Sequence, residues 1–160
     1  MTREQIAFVE KVGWVFENSP WVAERASSEL PFPDTKAMHA AMVAVVGKSA
    51  PAERLTLIQA HPDLGARAKM SDASLGEQAG AGLNQLTPEE FATLHRLNAQ
   101  YKSKFGFPFI YAVKGSTKHA ILQALEARLN NTPAAEHATA LEQIANIAWF
   151  RLSGIFKESA

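Results

Sequence analysis

The chain has 160 residues, of which 47% are hydrophobic and 20% charged, with a formal net charge of zero and no cysteine. That composition belongs to a globular domain with a sizeable core rather than to a disordered chain. Balanced charge argues against nucleic-acid binding, which leaves a basic footprint, and the lack of cysteine excludes disulfides, thiol catalysis and thiolate metal sites.

The first residues lack the basic-then-apolar order of a signal peptide, and no apolar run approaches membrane-spanning length. Lys157-Glu158-Ser159-Ala160 carries no peroxisomal or retention address. A cytoplasmic protein is the simplest expectation.

Thr2 and Gln5 form a capping-box pattern, followed by Ile6, Val9, Val12 (or Gly13) and Phe16 at helical spacing. A first helix is expected to end near Asn18. Ser19-Pro20 then supplies a cap and a first-position proline for a helix over 21–30. Pro31-Phe32-Pro33 breaks the chain, and Asp34 is placed to cap a third helix running through Val46, with Gly47 closing it. Ser49-Ala50-Pro51 opens a fourth helix, Glu53 to Ala60, leading into His61.

Thr87-Pro88-Glu89-Glu90 unites cap, first-position proline and reciprocal glutamate, the strongest helix start in the chain. Behind it Phe91, Leu94, Leu97 (or Asn98), Tyr101 and Phe105 make an apolar stripe that Gly106 ends. The run 107–113 is β-like in composition, but Pro108 and the lack of a partner make it an extended connector. Ser116 is expected to cap a helix to about Asn130, and Thr132-Pro133 to start the last one, with Leu141, Ile144, Ala148, Leu152 and Ile155 on one side. The fold class is therefore all-α: a single-domain compact bundle over 1–160 with about seven to eight helices and one extended connector near 107–113.

His61-Pro62-Asp63-Leu64-Gly65 and Ser74-Leu75-Gly76-Glu77-Gln78 gather the residues fit for chemistry. An imidazole beside a carboxylate is suited to moving protons near neutral pH. The competing structural readings are plain. His61 follows a helix and is equally suited to a C-terminal cap or a surface position. Ser74 and Glu77 match a capping box, although a helix start also suits an anionic ligand. Gln78 offers a donor and an acceptor to an amide- or urea-like group, and Ala79-Gly80-Ala81-Gly82 permits close approach of backbone or ligand. Arg151 lies within the most apolar part of the last helix, where it is a structural ion pair, an exposed position with a snorkelling stem, or an anion clamp. Phe105 through Ile110 reads as core, with a non-helical backbone able to line a pocket. His61 with Asp63 lacks the further ligands that a metal needs, and His39, His95, His119 and His137 are scattered, so no metal site is expected.

Taken in order, His61-Pro62-Asp63-Leu64-Gly65, Ser74-x-x-Glu77-Gln78-Ala79-Gly80-Ala81-Gly82-Leu83, Phe91 through Asn98, and Tyr101-Lys102-x-Lys104-Phe105-Gly106-Phe107-Pro108-Phe109-Ile110 resemble one family. These are the 2-oxo-4-hydroxy-4-carboxy-5-ureidoimidazoline (OHCU) decarboxylases of uric acid breakdown. The similarity extends to the Trp149-Arg151 region; the link between His61 and Ser74 looks shorter than in many relatives. The resemblance implies an all-helical homodimer needing no metal and no organic cofactor. It implies loss of CO2 from a small ureide to give (S)-allantoin. By matching position, His61 and Glu77 would be the acid–base pair, while Ser74, Gln78 and Arg151 would bind the substrate's ureido and oxygen groups. Backbone atoms of Pro62 and of Phe109-Ile110 would complete the pocket. Two alternatives stay open: a related helical lyase or hydrolase acting on another ureide, and a non-catalytic helical dimer that binds purine-degrading enzymes.

Overall fold

The computed structural model describes residues 1–65 and 72–157. Among them are eight α-helices and no strand, as the hydrophobic periodicity requires. They fall into two compact units, one of residues 1–60 with 144–160 and one of residues 61–143.

In the first unit α1 (Arg3–Val12) starts on the expected capping box, with Thr2 accepting from the Gln5 N–H at 3.1 Å and Gln5 accepting in return at 2.8 Å. It ends earlier than Asn18. After Val12 the chain tightens into a 3-10 turn at Gly13–Val15, where a Cβ on Gly13 would lie 3.3 Å from Val9, and Asn18 takes a positive φ of 46°. Asparagine tolerates that left-handed state, which makes it a turn residue here.

Helix α2 (Trp21–Ala26) begins without a serine cap, because the Ser19 hydroxyl donates to the Glu17 carbonyl and Pro20 occupies the cap position. It does not reach Leu30 as an α-helix. Ser27 and Ser28 turn their hydroxyls back to the carbonyls of Glu24 and Arg25, and a 3-10 turn covers Ser27–Glu29; serines compete for helix carbonyls in this way. Asp34 caps α3 (Thr35–Lys48) as expected, accepting from the Ala37 N–H at 2.7 Å. Gly47 lies inside that helix. The Arg54 side chain donates to the carbonyls of Gly47 and Ser49, so the helix end needs no glycine. Helix α4 (Pro51–Gln59) has the proline at its first position, with Ala50 as the cap residue and its N–H on Glu53.

The second unit contains α5 (Asp72–Gly80), α6 (Pro88–Phe105) and α7 (Lys118–Arg128). Helix α6 starts on the Thr87–Glu90 capping box, and Gly106 ends it with φ at 78°. Its stripe is the core: Leu94, Leu97, Tyr101 and Phe105 are buried with Asn98 among them, and Phe91 is half-buried. Tyr101 lies against the rings of Phe105, Phe107 and Phe109, at centroid distances of 4.5, 6.0 and 5.5 Å. The connector 107–113 is non-helical and mostly buried, without a strand partner. Thr117, not Ser116, caps α7, because the Ser116 hydroxyl is paired with Tyr111 at 2.9 Å. The last helix, α8 (Pro133–Phe156), takes its cap from Thr132, which accepts from Ala135. It contributes to the second unit through Gln143 and to the first from Ile144 onward. On its apolar side Ile144, Ala148 and Leu152 are buried, with Leu141 and Ile155 half-buried.

Candidate functional site

His61 follows the cap residue of α4, Ala60, so it is not itself the helix cap. Nor is it a surface residue, being only 8% exposed. The turn it opens is held at its far end by three side chains of the second unit. The Gly65 N–H donates to Gln78 Oε1 at 2.8 Å, the Asn98 amide donates to the Leu64 carbonyl at 3.0 Å, and Lys102 lies 3.4 Å from the Asp63 carboxylate. Gly65 has φ at +70°, and a Cβ there would lie 2.5 Å from the Leu94 side chain. Both the backbone angle and the contact demand glycine.

Ser74, Glu77 and Gln78 stand inside α5, at its third, sixth and seventh residues, so the Ser74–Glu77 pattern is not a helix start. Offsets of three and four place these side chains on one helix face. That face is turned inward: Ser74 and Gln78 are buried and Glu77 is half-buried, whereas Leu75, on another side, is exposed. A helix ordinarily buries its apolar side. Here hydroxyl and amide are buried and the carboxylate is half-buried while a leucine faces solvent, the inversion expected where polar groups serve a ligand. The hydrogen bond from Gly65 to Gln78 ties the His61 turn to this face. It occupies the amide oxygen, so Gln78 offers a ligand its amide N–H groups.

Phe109 and Ile110 are buried, with the Ile110 carbonyl accepting from Arg128 at 2.7 Å; Pro62 is half-buried. Arg151 lies in the first unit. There its Nη2 donates to Glu17 at 3.0 Å and its Nη1 reaches the carbonyls of Trp14 and Val15 at 3.3 Å each, with both charged side chains almost fully buried. The ion pair expected of a buried arginine is therefore present. The middle of the link between His61 and Ser74, residues 66–71, and the end of the C-terminal tetrapeptide, 158–160, lie outside the described residues. Among the described residues no group of three or more His, Cys, Asp or Glu is placed to hold a metal ion, and no helix is long and apolar enough to cross a membrane.

Residue-level reading missed Asn98, Lys102 and Arg128. The first signals itself as a polar residue on the apolar stripe of α6; the other two sit at helix ends, where basic residues are common, and give no signal.

Comparison with known proteins decides the family. The model of the family described as OHCU decarboxylase matches residues 2–153. The chain belongs to the OHCU decarboxylase family. The 2-oxo-4-hydroxy-4-carboxy-5-ureidoimidazoline decarboxylase of Haloferax volcanii is 43% identical over 150 residues, covering 94% of this chain and 89% of that protein. A uric acid degradation bifunctional protein of Bacillus sp. (strain TB-90) is 46% identical over 151 residues; the match covers 94% of this chain and spans 30% of that longer protein. A crystal structure of OHCU decarboxylase in the presence of (S)-allantoin superposes with a TM-score of 0.75 at 25% identity, over 90% of this chain and 96% of that one.

Proposed function

We propose that the chain decarboxylates OHCU to (S)-allantoin in uric acid degradation, with His61 and Glu77 as its acid–base pair. The observation that carries the assignment of residues is the inward polar face of α5, tied to the turn of a buried histidine. Ser74 and the Gln78 amide N–H groups bind the ureido and oxygen atoms of the substrate. Arg151 holds a substrate oxygen whose charge changes, and its anchorage on Glu17, Trp14 and Val15 supports that role by fixing the guanidinium. Backbone atoms of Pro62, Phe109 and Ile110 complete the pocket.

The substrate carries its carboxylate on a ring carbon that also bears a hydroxyl, beside a C=N bond. As the bond to CO2 breaks, its electron pair forms a double bond to the neighbouring ring carbon, and the C=N pair moves onto nitrogen, which takes a proton. The hydroxyl then loses its proton and becomes the carbonyl, while the neighbouring carbon gains a proton and becomes the stereocentre. The net change is loss of CO2 and gain of one proton by the carboxylate form. Because the substrate supplies its own electron sink, the protein's task is to orient, to stabilise charge and to deliver the proton to one face. His61, poised by Glu77, moves that proton. The same reading makes the protein a cytoplasmic homodimer that works without metal or organic cofactor; retention of full activity after exhaustive chelation and a dimer in sedimentation equilibrium are the expected results.

The deciding experiment follows circular dichroism of freshly generated OHCU with and without protein. Wild type should speed the reaction and yield one enantiomer. His61→Ala and Glu77→Ala, folded by far-ultraviolet criteria, should each lose on the order of 10²-fold or more in rate, the usual worth of a positioned acid–base group. Stereospecific product from either variant at the wild-type rate removes that residue from the mechanism.

A further inference from the structure

The connector 107–113 is buried yet belongs to no helix or sheet, so its backbone polar groups must find partners elsewhere. Two of them are taken by side chains. The Ile110 carbonyl accepts from Arg128 Nη1 at 2.7 Å, and the Ala112 N–H donates to Gln143 Oε1 at 2.9 Å. Arg128, the last residue of α7, lays its guanidinium over the Phe109 ring, 4.5 Å from the centroid, and donates through Nε to Glu136 at 2.8 Å.

Glu136 is fully buried in the first turn of α8, where the helix dipole favours a carboxylate. It also accepts from the Tyr101 hydroxyl and, at 2.9 Å, from the Asn131 amide. Burial, reinforced by the Glu136 acceptor, pushes the Tyr101 hydroxyl well above the usual phenol range, so it acts here as a fixed donor. The carboxylate is thus immobilised from three directions.

The way the arginine divides its donors is informative. A guanidinium present only to neutralise Glu136 would fork onto both carboxylate oxygens. Arg128 instead gives the carboxylate Nε alone and spends Nη1 on the Ile110 carbonyl, while its Nη2 is buried and has no hydrogen-bond partner among the described residues. The geometry favours the backbone contact over a complete ion pair. Fixing the Ile110 oxygen also fixes the plane of the peptide that follows, because a trans peptide carries the next N–H on its opposite edge.

We infer that Arg128, itself held by Glu136, is a positioning residue for the reaction: it sets the backbone of Phe109-Ile110 in the orientation that meets substrate. The inference rests on the proposed function, in which that stretch lines the pocket. Arg128 touches no reacting atom and acts through the connector, so its loss weakens substrate binding more than turnover.

The test is the split between KM and kcat for OHCU. Arg128→Lys keeps a positive charge beside Glu136 but cannot reach both acceptors. It should raise KM on the order of tenfold with kcat changed less than about threefold, the pattern of lost uniform binding. Tyr101→Phe removes a donor from Glu136 but keeps the ring that packs on Phe107 and Phe109 of the connector, and should lower stability with KM unchanged. A wild-type KM in folded Arg128→Lys, or an equal rise in Tyr101→Phe, overturns the inference. Should Arg128→Lys fail to fold, Gln143→Leu, which releases the other fixed atom of the connector, decides by the same criterion. Wild-type protein inactive on OHCU overturns the functional reading and this inference together; active wild type with an indifferent Arg128→Lys overturns this inference alone.

Discussion

Among the described residues each unit has an arginine paired with a buried glutamate, and the two pairs are built around opposite centres. In the first unit the cation is central: Arg151 serves Glu17 and two adjacent carbonyls, Trp14 and Val15, at the 3-10 turn. In the second the anion is central: Glu136 serves Arg128, Tyr101 and Asn131, drawn from α6, α7 and the turn before α8. Both arginines also reach carbonyls that α-helical hydrogen bonding does not satisfy. An all-helical protein that buries irregular backbone must supply donors to it, and here helical arginines do so. The carboxylates keep those arginines in place, since a buried guanidinium without an anion is costly.

Removing a centre should therefore cost more than removing its neighbour, which gives the largest expected effect. Glu136→Ala strips the acceptor from a guanidinium, a phenol and an amide at once, and should destabilise by about 3–5 kcal/mol, the range for breaking a buried ion pair. Glu17→Ala leaves Arg151 its two carbonyl acceptors and should fall at or below the lower end of that range. Urea denaturation of both variants checks the order. A larger loss in Glu17→Ala would show that the Trp14 and Val15 carbonyls do not keep Arg151 satisfied.

The next comparison lies within the second unit, between two glycines of similar backbone. Gly65 and Gly106 have φ at +70° and +78°, a conformation that costs an alanine about 1–2 kcal/mol. Only Gly65 is also crowded: its Cβ would meet the buried Leu94 side chain at 2.5 Å and Leu86 at 3.4 Å, whereas a Cβ added to Gly106 would meet nothing within 4 Å. Gly106→Ala should show the conformational cost alone and keep its activity. Gly65→Ala should add an overpacking cost of roughly 1–3 kcal/mol and lose activity, because the turn that begins with His61 must shift. Equal thermal midpoints and equal turnover in the two variants would break the link between that turn and the proposed site.

These contrasts also mark what a reader of the bare sequence can and cannot recover. Helix starts at Thr2, Asp34, Thr87 and Thr132 were legible because a capping side chain acts within three residues. Helix ends were not. The stops of α1 and α2 depend on the approach of Pro20 to Gly13 and on serines turning back onto carbonyls, and Gly47 proved unnecessary once Arg54 reached the end of α3. Arg151 announced itself as a charge in an apolar run. Arg128, half-buried, did not, because its partners lie eight and eighteen residues away and its helix-end position is ordinary. The Ser74–Glu77 pattern misled in the other direction: a real capping-box spelling stands in mid-helix, and only the helix register shows that its polar residues face inward.

The smallest expected effect again compares the units, now at their capping glutamates. Glu53 is held at about 2 by its hydrogen bond to Arg25 and then by the Ala50 N–H; Glu90 is held at about 2 by its hydrogen bond to Lys118 and then by the Thr87 N–H. Both lie below the ordinary 4.5. A carboxyl group depressed in the folded state contributes stability that is fully present above its unfolded value and is lost as pH falls through the folded one. Each glutamate should therefore support the fold above about pH 4.5 and cease to do so toward about pH 2. The two differ in shielding: the Arg25–Glu53 side chains are 46% and 36% exposed, against 25% and 19% for Lys118–Glu90. Salt screens the more exposed pair more strongly. Thermal midpoints followed from neutral pH downward should show a shallower acid fall in both Glu53→Gln and Glu90→Gln than in wild type. At high salt that difference from wild type should shrink for Glu53→Gln and persist for Glu90→Gln. Equal salt sensitivity in the two variants would assign both depressions to the backbone caps, which are alike, rather than to the cations, which are not.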